Sequence, residues 1–241
     1  MAEALLTLEG VHTYIGQYHI LQGVDFTVPR GTMTVLLGRN GAGKTTTLRT
    51  IMGLWKPSRG KVIFDGAEIG GRATPDIALA GIAYVPESMG VFADLTVREN
   101  MVLAAQKGAP DAARLEWIFG FFPALKRFWT HPAGVLSGGQ KQMLSIARAV
   151  VEPRRLILID EPTKGIAPAI IENMIRAFTE LKRDETTILL VEQNFRFAQA
   201  LGDWAVVMDD GRIVHRETMA ELSADTATQT RLLGLSLETH G

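Results

Sequence analysis

Residues 38–45 read Gly-Arg-Asn-Gly-Ala-Gly-Lys-Thr, a complete G-x-x-x-x-G-K-T run. The segment before it, Met33-Thr34-Val35-Leu36-Leu37, is apolar and β-branched enough to be a buried strand. The segment after it, Thr45-Thr46-Thr47-Leu48-Arg49-Thr50-Ile51-Met52, opens a helix. Strand, glycine-rich loop and helix in this order leave few folds available. Gly38, Gly41 and Gly43 let the backbone turn at positive φ and come close to a ligand. Backbone N–H groups of Arg39, Asn40, Ala42 and their neighbours then converge on phosphate oxygens, and the helix start at Thr45-Thr46 adds partial positive charge. In such a loop Lys44 bridges β- and γ-phosphates, and the Thr45 hydroxyl ligates Mg²⁺.

Composition narrows what surrounds this loop. With 46% hydrophobic and 21% charged residues, a chain of 241 residues can bury the core of one large domain. A net charge of −1 argues against broad phosphate neutralisation, so no nucleic-acid partner is expected. The sequence contains no cysteine, which excludes disulfides and thiolate metal or redox sites. Glu3 and Glu9 stand where a signal peptide would be basic and then apolar, so no signal peptide is expected. No apolar run approaches the ~18 residues that span a bilayer. Any membrane link must then run through a partner.

The texture of the chain changes twice. Up to residue 87 it is strand-rich: Leu5–Leu8, Val24–Val28, Met33–Leu37, Lys61–Phe64 with an Asp65-Gly66 turn, and Ile82–Val85 stopped by Pro86. A short helix is expected at Pro75–Ala80. From 88 to 152 it reads as helix. Thr96-Val97-Arg98-Glu99 is a capping box for a helix through Ala105. Asp111–Phe122 is a second helix, Lys126–Pro132 a loop, and Ser137–Val151 a third helix. From 153 onward β and α alternate again. Leu156–Ile159 has the continuous apolar character of a parallel strand covered on both faces. Helix Pro168–Arg183, strand Thr187–Val191 and helix Asn194–Leu201 follow. Ala205–Met208 and Arg212–His215 form a hairpin across Asp209-Asp210-Gly211, and one or two short helices follow residue 217. The expected architecture is one α/β domain over 1–241. Its core, 1–87 and 153–241, is a mostly parallel sheet with an antiparallel β edge. A helical subdomain, about 88–152, is inserted.

Two further motifs carry chemistry. Leu136-Ser137-Gly138-Gly139-Gln140 contains a capping box, Ser137 to Gln140, before a helix with Met143, Ile146, Ala147 and Val150 on one face. Gly138 and Gly139 each cost that helix about 1 kcal/mol relative to alanine. Two glycines beside a cap point to close approach by something, and an anion suits a helix N-terminus. The apolar strand Leu156–Ile159 ends in Asp160-Glu161-Pro162, which places two carboxylates where α/β sheets bind ligands.

In this order and spacing, the phosphate loop, the LSGGQ run and the acidic strand end resemble the ATP-binding subunits of ABC transporters, over essentially the whole chain. The resemblance implies a P-loop NTPase fold with LSGGQ on the helical subdomain, and ATP and Mg²⁺ as cofactors. It implies that Asp160 holds Mg²⁺ and that Glu161 polarises the attacking water as general base. Tyr14, 24 residues before Gly38, matches the aromatic position that stacks on adenine, with Tyr18 nearby as a second candidate. Two positions depart from the general pattern. Glu87 stands where the family usually has Gln, and offers Mg²⁺ a charged oxygen. Gln193 stands where it usually has His; it can donate to the γ-phosphate but cannot shuttle a proton.

Glu87, the Val191-Glu192-Gln193-Asn194 run and Thr163-Lys164-Gly165-Ile166-Ala167-Pro168 together resemble the ATPases of branched-chain amino acid importers and their urea and amide relatives. That subfamily carries arginines after the Tyr-Val-Pro-Glu run; here Ser88–Val97 has none. The resemblance implies a head-to-tail dimer with an identical copy or a paralogue, where Ser137, Gly138, Gly139 and Gln140 of one copy face the nucleotide of the other. It also implies integral-membrane permease subunits docked near Glu87–Leu95, an extracellular or periplasmic solute-binding protein as indirect partner, and a peripheral place on the cytoplasmic face of a bacterial membrane. Alternatives are the ATPase of another ABC system, such as urea or amide import or lipopolysaccharide export, and a soluble ABC-type ATPase of DNA repair or translation. The latter usually carries long coiled coils, and the 91 residues from 46 to 136 hold no heptad run.

Overall fold

The computed structural model describes residues 3–105 and 108–234. Its strands are β1 (Ala4–Ile15), β2 (Tyr18–Pro29), β3 (Met33–Leu37), β4 (Arg59–Phe64), β5 (Ala67–Glu68), β6 (Ile82–Val85), β7 (Leu156–Asp160), β8 (Thr187–Glu192), β9 (Trp204–Asp209) and β10 (Arg212–Thr218). Its α-helices are α1 (Lys44–Ile51), α2 (Thr74–Leu79), α3 (Val97–Ala104), α4 (Ala112–Phe121), α5 (Pro123–Arg127), α6 (Gly138–Val150), α7 (Pro168–Arg183), α8 (Phe195–Leu201), α9 (Met219–Ala224) and α10 (Thr226–Leu233).

The strands form two sheets. Six run in the order β10-β9-β3-β8-β7-β6, parallel except for the β9–β10 hairpin. Four run antiparallel in the order β2-β1-β4-β5. β10 is the expected antiparallel edge of the parallel sheet, and the four-stranded antiparallel sheet stands in addition to it. Alternation along the parallel strands divides the core in two. Met33, Val35, Leu37, Ile157, Ile159, Ile188 and Leu190 face the apolar cluster built with α6, α7 and α8. Leu36, Leu156, Leu158, Leu189 and Val191 face the other, built with α1 and the antiparallel sheet. Every residue of β7 and β8 is buried, as expected of strands covered on both faces.

The elements match the sequence in kind and differ in extent. β1 and β2 are 12 residues each, because the hairpin tolerates irregular register at Leu8/Val11 and Thr13/Tyr14. The expected loop over 126–132 begins inside α5, a five-residue helix with Pro123 in its first turn. Among the described residues three helices start with complete capping boxes: Thr96/Glu99, Ser137/Gln140 and Thr218/Glu221. Among the described residues no helix is long and apolar enough to cross a membrane.

The caps make a pH prediction. Hydrogen bonds from Thr96 hold Glu99 below its ordinary 4.5, and bonds from Thr218 do the same for Glu221. A depressed carboxylate stabilises the fold above its ordinary pKa and loses that contribution as pH falls through the folded value. The melting temperature is therefore expected to fall as the pH drops below about 4.5, and Glu99→Gln to flatten that slope. Thermal unfolding across pH 3–6 checks it; an unchanged slope in the variant removes Glu99 from the effect.

Candidate functional site

The phosphate loop joins β3 to α1, at the C-terminal end of the parallel strands. All three expected glycines sit at positive φ: Gly38 at 148°, Gly41 at 82° and Gly43, the cap of α1, at 108°. Gly38 has a second reason to be glycine, since a Cβ there would overlap the Met208 carbonyl oxygen on β9. Lys44 is buried; its Nζ donates to the carbonyls of Gly38 at 2.8 Å and Arg39 at 3.1 Å. It lies 3.4 Å from Glu161 Oε1. Arg39, Asn40 and Gly41 are exposed at the rim, Thr46 is half-buried, and Ala42 is buried with its carbonyl accepting from Gly211 N.

The acidic strand end meets the loop directly. Asp160 is fully buried, accepting from Thr45 Oγ1 at 3.0 Å and from the Tyr84 hydroxyl at 3.3 Å. Burial pushes the Asp160 carboxyl up, and those two hydrogen bonds oppose the rise. Burial, then the Asp160 charge, pushes Tyr84 up to about 12, so its hydroxyl remains a donor at neutral pH. Glu161 adopts φ 46°, which for a residue with a Cβ is strained by about 1–3 kcal/mol. Its amide donates to Val191 O at 2.9 Å and so still follows the β7–β8 ladder. The turn sends its side chain to the phosphate loop.

Gln193 links these parts. Its Nε2 donates to Glu161 Oε1 at 2.6 Å and to Asn40 Oδ1 at 2.7 Å. Lys44, Glu161, Gln193 and Asn40 thus converge on one spot. The small cleft beside them, about 280 Å³, is lined by Gly38, Arg39, Asn40, Glu192, Gln193 and Leu233. Glu87 lies at the rim, where its Oε1 accepts from Lys164 Nζ at 2.6 Å.

The donor set fits a hard cation carried on phosphates. Thr45 and Asp160 offer neighbouring oxygens, whereas among the described residues no group of three or more His, Cys, Asp or Glu could hold a metal. A magnesium ion uses one or two carboxylates and takes its remaining ligands from phosphate and water.

Within LSGGQ, the Ser137 and Gln140 side chains bond to each other's backbone amides rather than to the phosphate loop. Gln140 N donates to Ser137 Oγ at 3.3 Å, and Ser137 N to Gln140 Oε1 at 2.9 Å. The two glycines differ. A Cβ on Gly139 would meet Ile170 of α7, so that glycine has a packing reason within the chain. A Cβ on Gly138 would meet nothing within 4 Å. Tyr14, 47% exposed, stacks on His19 at 4.2 Å and 5°, and His19 stacks on His12. Tyr18 lies at the hairpin tip, 66% exposed. Leu21, two residues beyond His19, packs against Gly43, so the Tyr14 stack stands on the strand that borders the loop.

Three residues that the sequence reading quoted only within longer runs, with no role in the site, border it: Tyr84, Lys164 and Glu192. Glu192 is buried at the end of β8. It accepts from Thr163 N and Oγ1 and from the amides of Gln193 and Asn194, at 2.8–3.1 Å. Burial raises its pKa and these bonds oppose the rise. A carboxylate ending an apolar run was the available signal, the same one that marked Asp160.

Residues 21–164 match the family described as ABC transporter. This chain belongs to the ABC transporter family. A Pseudomonas aeruginosa protein named high-affinity branched-chain amino acid transport ATP-binding protein BraG is 37% identical, over 95% of this chain and 100% of its own. A probable branched-chain amino acid transport ATP-binding protein, LivF, of Archaeoglobus fulgidus is also 37% identical, over 86% and 89%. Among solved ABC structures, an ATP-binding subunit of an ABC transporter superposes with TM-score 0.80 at 30% identity, over 97% and 96%. An ATP-binding cassette dimer in a post-hydrolysis state with ADP and Pi superposes at 0.79 and 25%, over 89% and 98%.

Proposed function

We propose that this chain is the ATP-hydrolysing subunit of an ABC importer for branched-chain amino acids or a related small polar solute. The observation that carries the hydrolytic part is the convergence of Lys44, Glu161, Gln193 and Asn40 beside the phosphate loop. Lys44 and the loop amides of Gly38–Thr46 bind the phosphates, and Tyr14 stacks on the base. Glu161 takes a proton from the attacking water, and Gln193 orients Glu161 and donates toward the γ-phosphate. Thr45, Asp160 and Glu87 would hold magnesium, which when bound neutralises charge on the phosphate oxygens. Solute class rests on the full-length likeness to the branched-chain amino acid transport proteins.

Two copies, or this chain and a paralogue, pair head to tail, with Ser137–Gln140 of each closing on the nucleotide of the other. The open space at Gly138 supports this reading. Binding of ATP to the closed pair and loss of the γ-phosphate make a two-state switch. The helical segment of about 88–152 moves with it as a subdomain. Permease subunits dock near Glu87–Leu95, beside a cleft of about 460 Å³ lined by Met52, Tyr84, Met89, Leu103 and Arg148. Leu54, Leu79, Phe92 and Leu103 are exposed apolar side chains. The chain then works at the cytoplasmic face of a bacterial membrane, and an external binding protein delivers the solute.

Gly138→Ala tests the pairing. With room for the methyl, the variant is expected to be as stable as the parent or up to about 1 kcal/mol more so. ATP-dependent pairing, followed by sedimentation, is expected to weaken about tenfold, equivalent to 1.4 kcal/mol. Unchanged pairing would take Gly138 out of the interface. The importer reading is tested by capture from native membranes, using tagged Glu161→Gln chain with ATP and Mg²⁺. Recovery of two polytopic permeases supports it; recovery of only soluble proteins or ribosomes overturns it.

A further inference from the structure

Tyr14 ends a column of three rings. His12 and Tyr14 are two residues apart on β1, so their side chains leave the same face of the strand. Their spacing is about 6.8 Å, twice the rise per residue. That gap accepts one flat ring, and His19 of β2, the partner of Tyr14 across the hairpin, fills it. The His19 ring lies 4.2 Å from the Tyr14 ring with the planes 5° apart, and 5.1 Å from the His12 ring with the planes 22° apart. Both faces of His19 are therefore covered.

One end of the column is fixed and the other is open. His12 Nδ1 and His19 Nε2 are 2.9 Å apart, one donating to the other, so the two imidazoles do not turn independently. His12 is seated against Gly23, where an added Cβ would come within 3.4 Å of its Nε2. Tyr14 has one face on His19 and is still nearly half exposed. Two residues beyond His19, Leu21 packs against Gly43 at the end of the phosphate loop. The open end of the column thus stands on the strand that borders the phosphate site. An exposed ring that must be ordered by its ligand subtracts from affinity, and a ring ordered beforehand does not.

We propose that His19 is a positioning residue of the nucleotide site, which holds the Tyr14 ring in one orientation so that the base meets a preformed face. The role rests on the reading above that Tyr14 stacks on the base. His12 acts one step further back, by fixing His19. The column supplies preorganisation rather than recognition, because the face of a ring reads no hydrogen-bonding edge of a base.

The test separates the base from the phosphates. Binding of ADP and of pyrophosphate, each with Mg²⁺, is measured by calorimetry for wild type, Tyr14→Ala, His19→Ala, His19→Phe and the double alanine variant. Tyr14→Ala is expected to weaken ADP binding about tenfold, as loss of a base stack does. His19→Ala is expected to weaken it about two- to tenfold, the worth of one aromatic pair. His19→Phe retains that pair and is expected to stay within about twofold of wild type. Pyrophosphate carries no base, so its affinity is expected to be the same in every variant. A histidine that merely braced the hairpin against Gly43 would, once removed, weaken both ligands. Without Tyr14 there is no ring to hold, so in the double variant the loss of His19 is expected to add nothing. ADP affinity unchanged or raised in His19→Ala, a loss shared by pyrophosphate, no rescue by phenylalanine, or losses that add in the double variant would each overturn the role. Tyr14→Ala binding ADP as tightly as wild type would instead overturn the stacking of the base on Tyr14, and this role with it.

Discussion

Glu161→Gln is expected to cut ATP turnover by about 10²–10⁴-fold while nucleotide affinity stays near that of the parent. The amide keeps the shape of the side chain. It replaces one acceptor oxygen with a donor nitrogen, and a neutral amide does not take a proton from water. Phosphate binding is carried elsewhere, by Lys44 and the loop amides. The contact with Gln193 survives, because the remaining amide oxygen still accepts from Nε2. A single-turnover assay beside a fluorescent-nucleotide titration separates the two quantities. Turnover near the parental rate would shift the base to the other strand-end carboxylate, Asp160. That outcome runs against the geometry, since Asp160 is sealed between Thr45 and Tyr84.

Gly38→Ala is expected to damage fold and site together. At φ 148° the backbone lies where residues with a Cβ are strained by about 1–3 kcal/mol. The added methyl also overlaps the Met208 carbonyl on a rigid strand, where nothing flexible can yield. A loss of at least about 2 kcal/mol in urea unfolding is expected. Affinity for nucleotide is expected to collapse, because the Gly38 carbonyl fixes Lys44 Nζ. Gly41→Ala is the control: φ is again positive, but nothing lies within 4 Å of the new methyl. Equal losses in both variants would mean that dihedral strain alone, and not the contact with β9, makes position 38 glycine.

Some of this was legible in the sequence because the signal was local. The phosphate loop is contiguous, and its flanks declare their own periodicity. The caps at Thr96 and Ser137 are four-residue patterns. Asp160 and Glu161 stand out against a continuous apolar strand. Other features depend on pairing at long range. Nothing in Tyr84 as a residue says that its hydroxyl reaches Asp160, since that requires β6 beside β7. Lys164 reads as a surface lysine until Glu87 is placed in the turn just beyond the neighbouring strand. The extent of β1 was hidden because Gly10 and His12 interrupt its apolar run, while pairing with both β2 and β4 holds it extended. Helix α5 is too short to show a period of 3.6.

The strand order has a consequence for biogenesis. β3, from residues 33–37, sits between β8 and β9, whose residues are 187–192 and 204–209. During synthesis the antiparallel hairpin of β1 and β2 can close early, since its partners are adjacent in sequence. β3 cannot: both of its edges wait for about 150 residues of later chain. At 5–20 residues per second, roughly 8 to 30 seconds pass with an apolar strand open on both sides. Such edges recruit other chains. A slow stretch of translation before residue 187 should lower soluble yield, and a holdase that covers residues 33–37 should restore it.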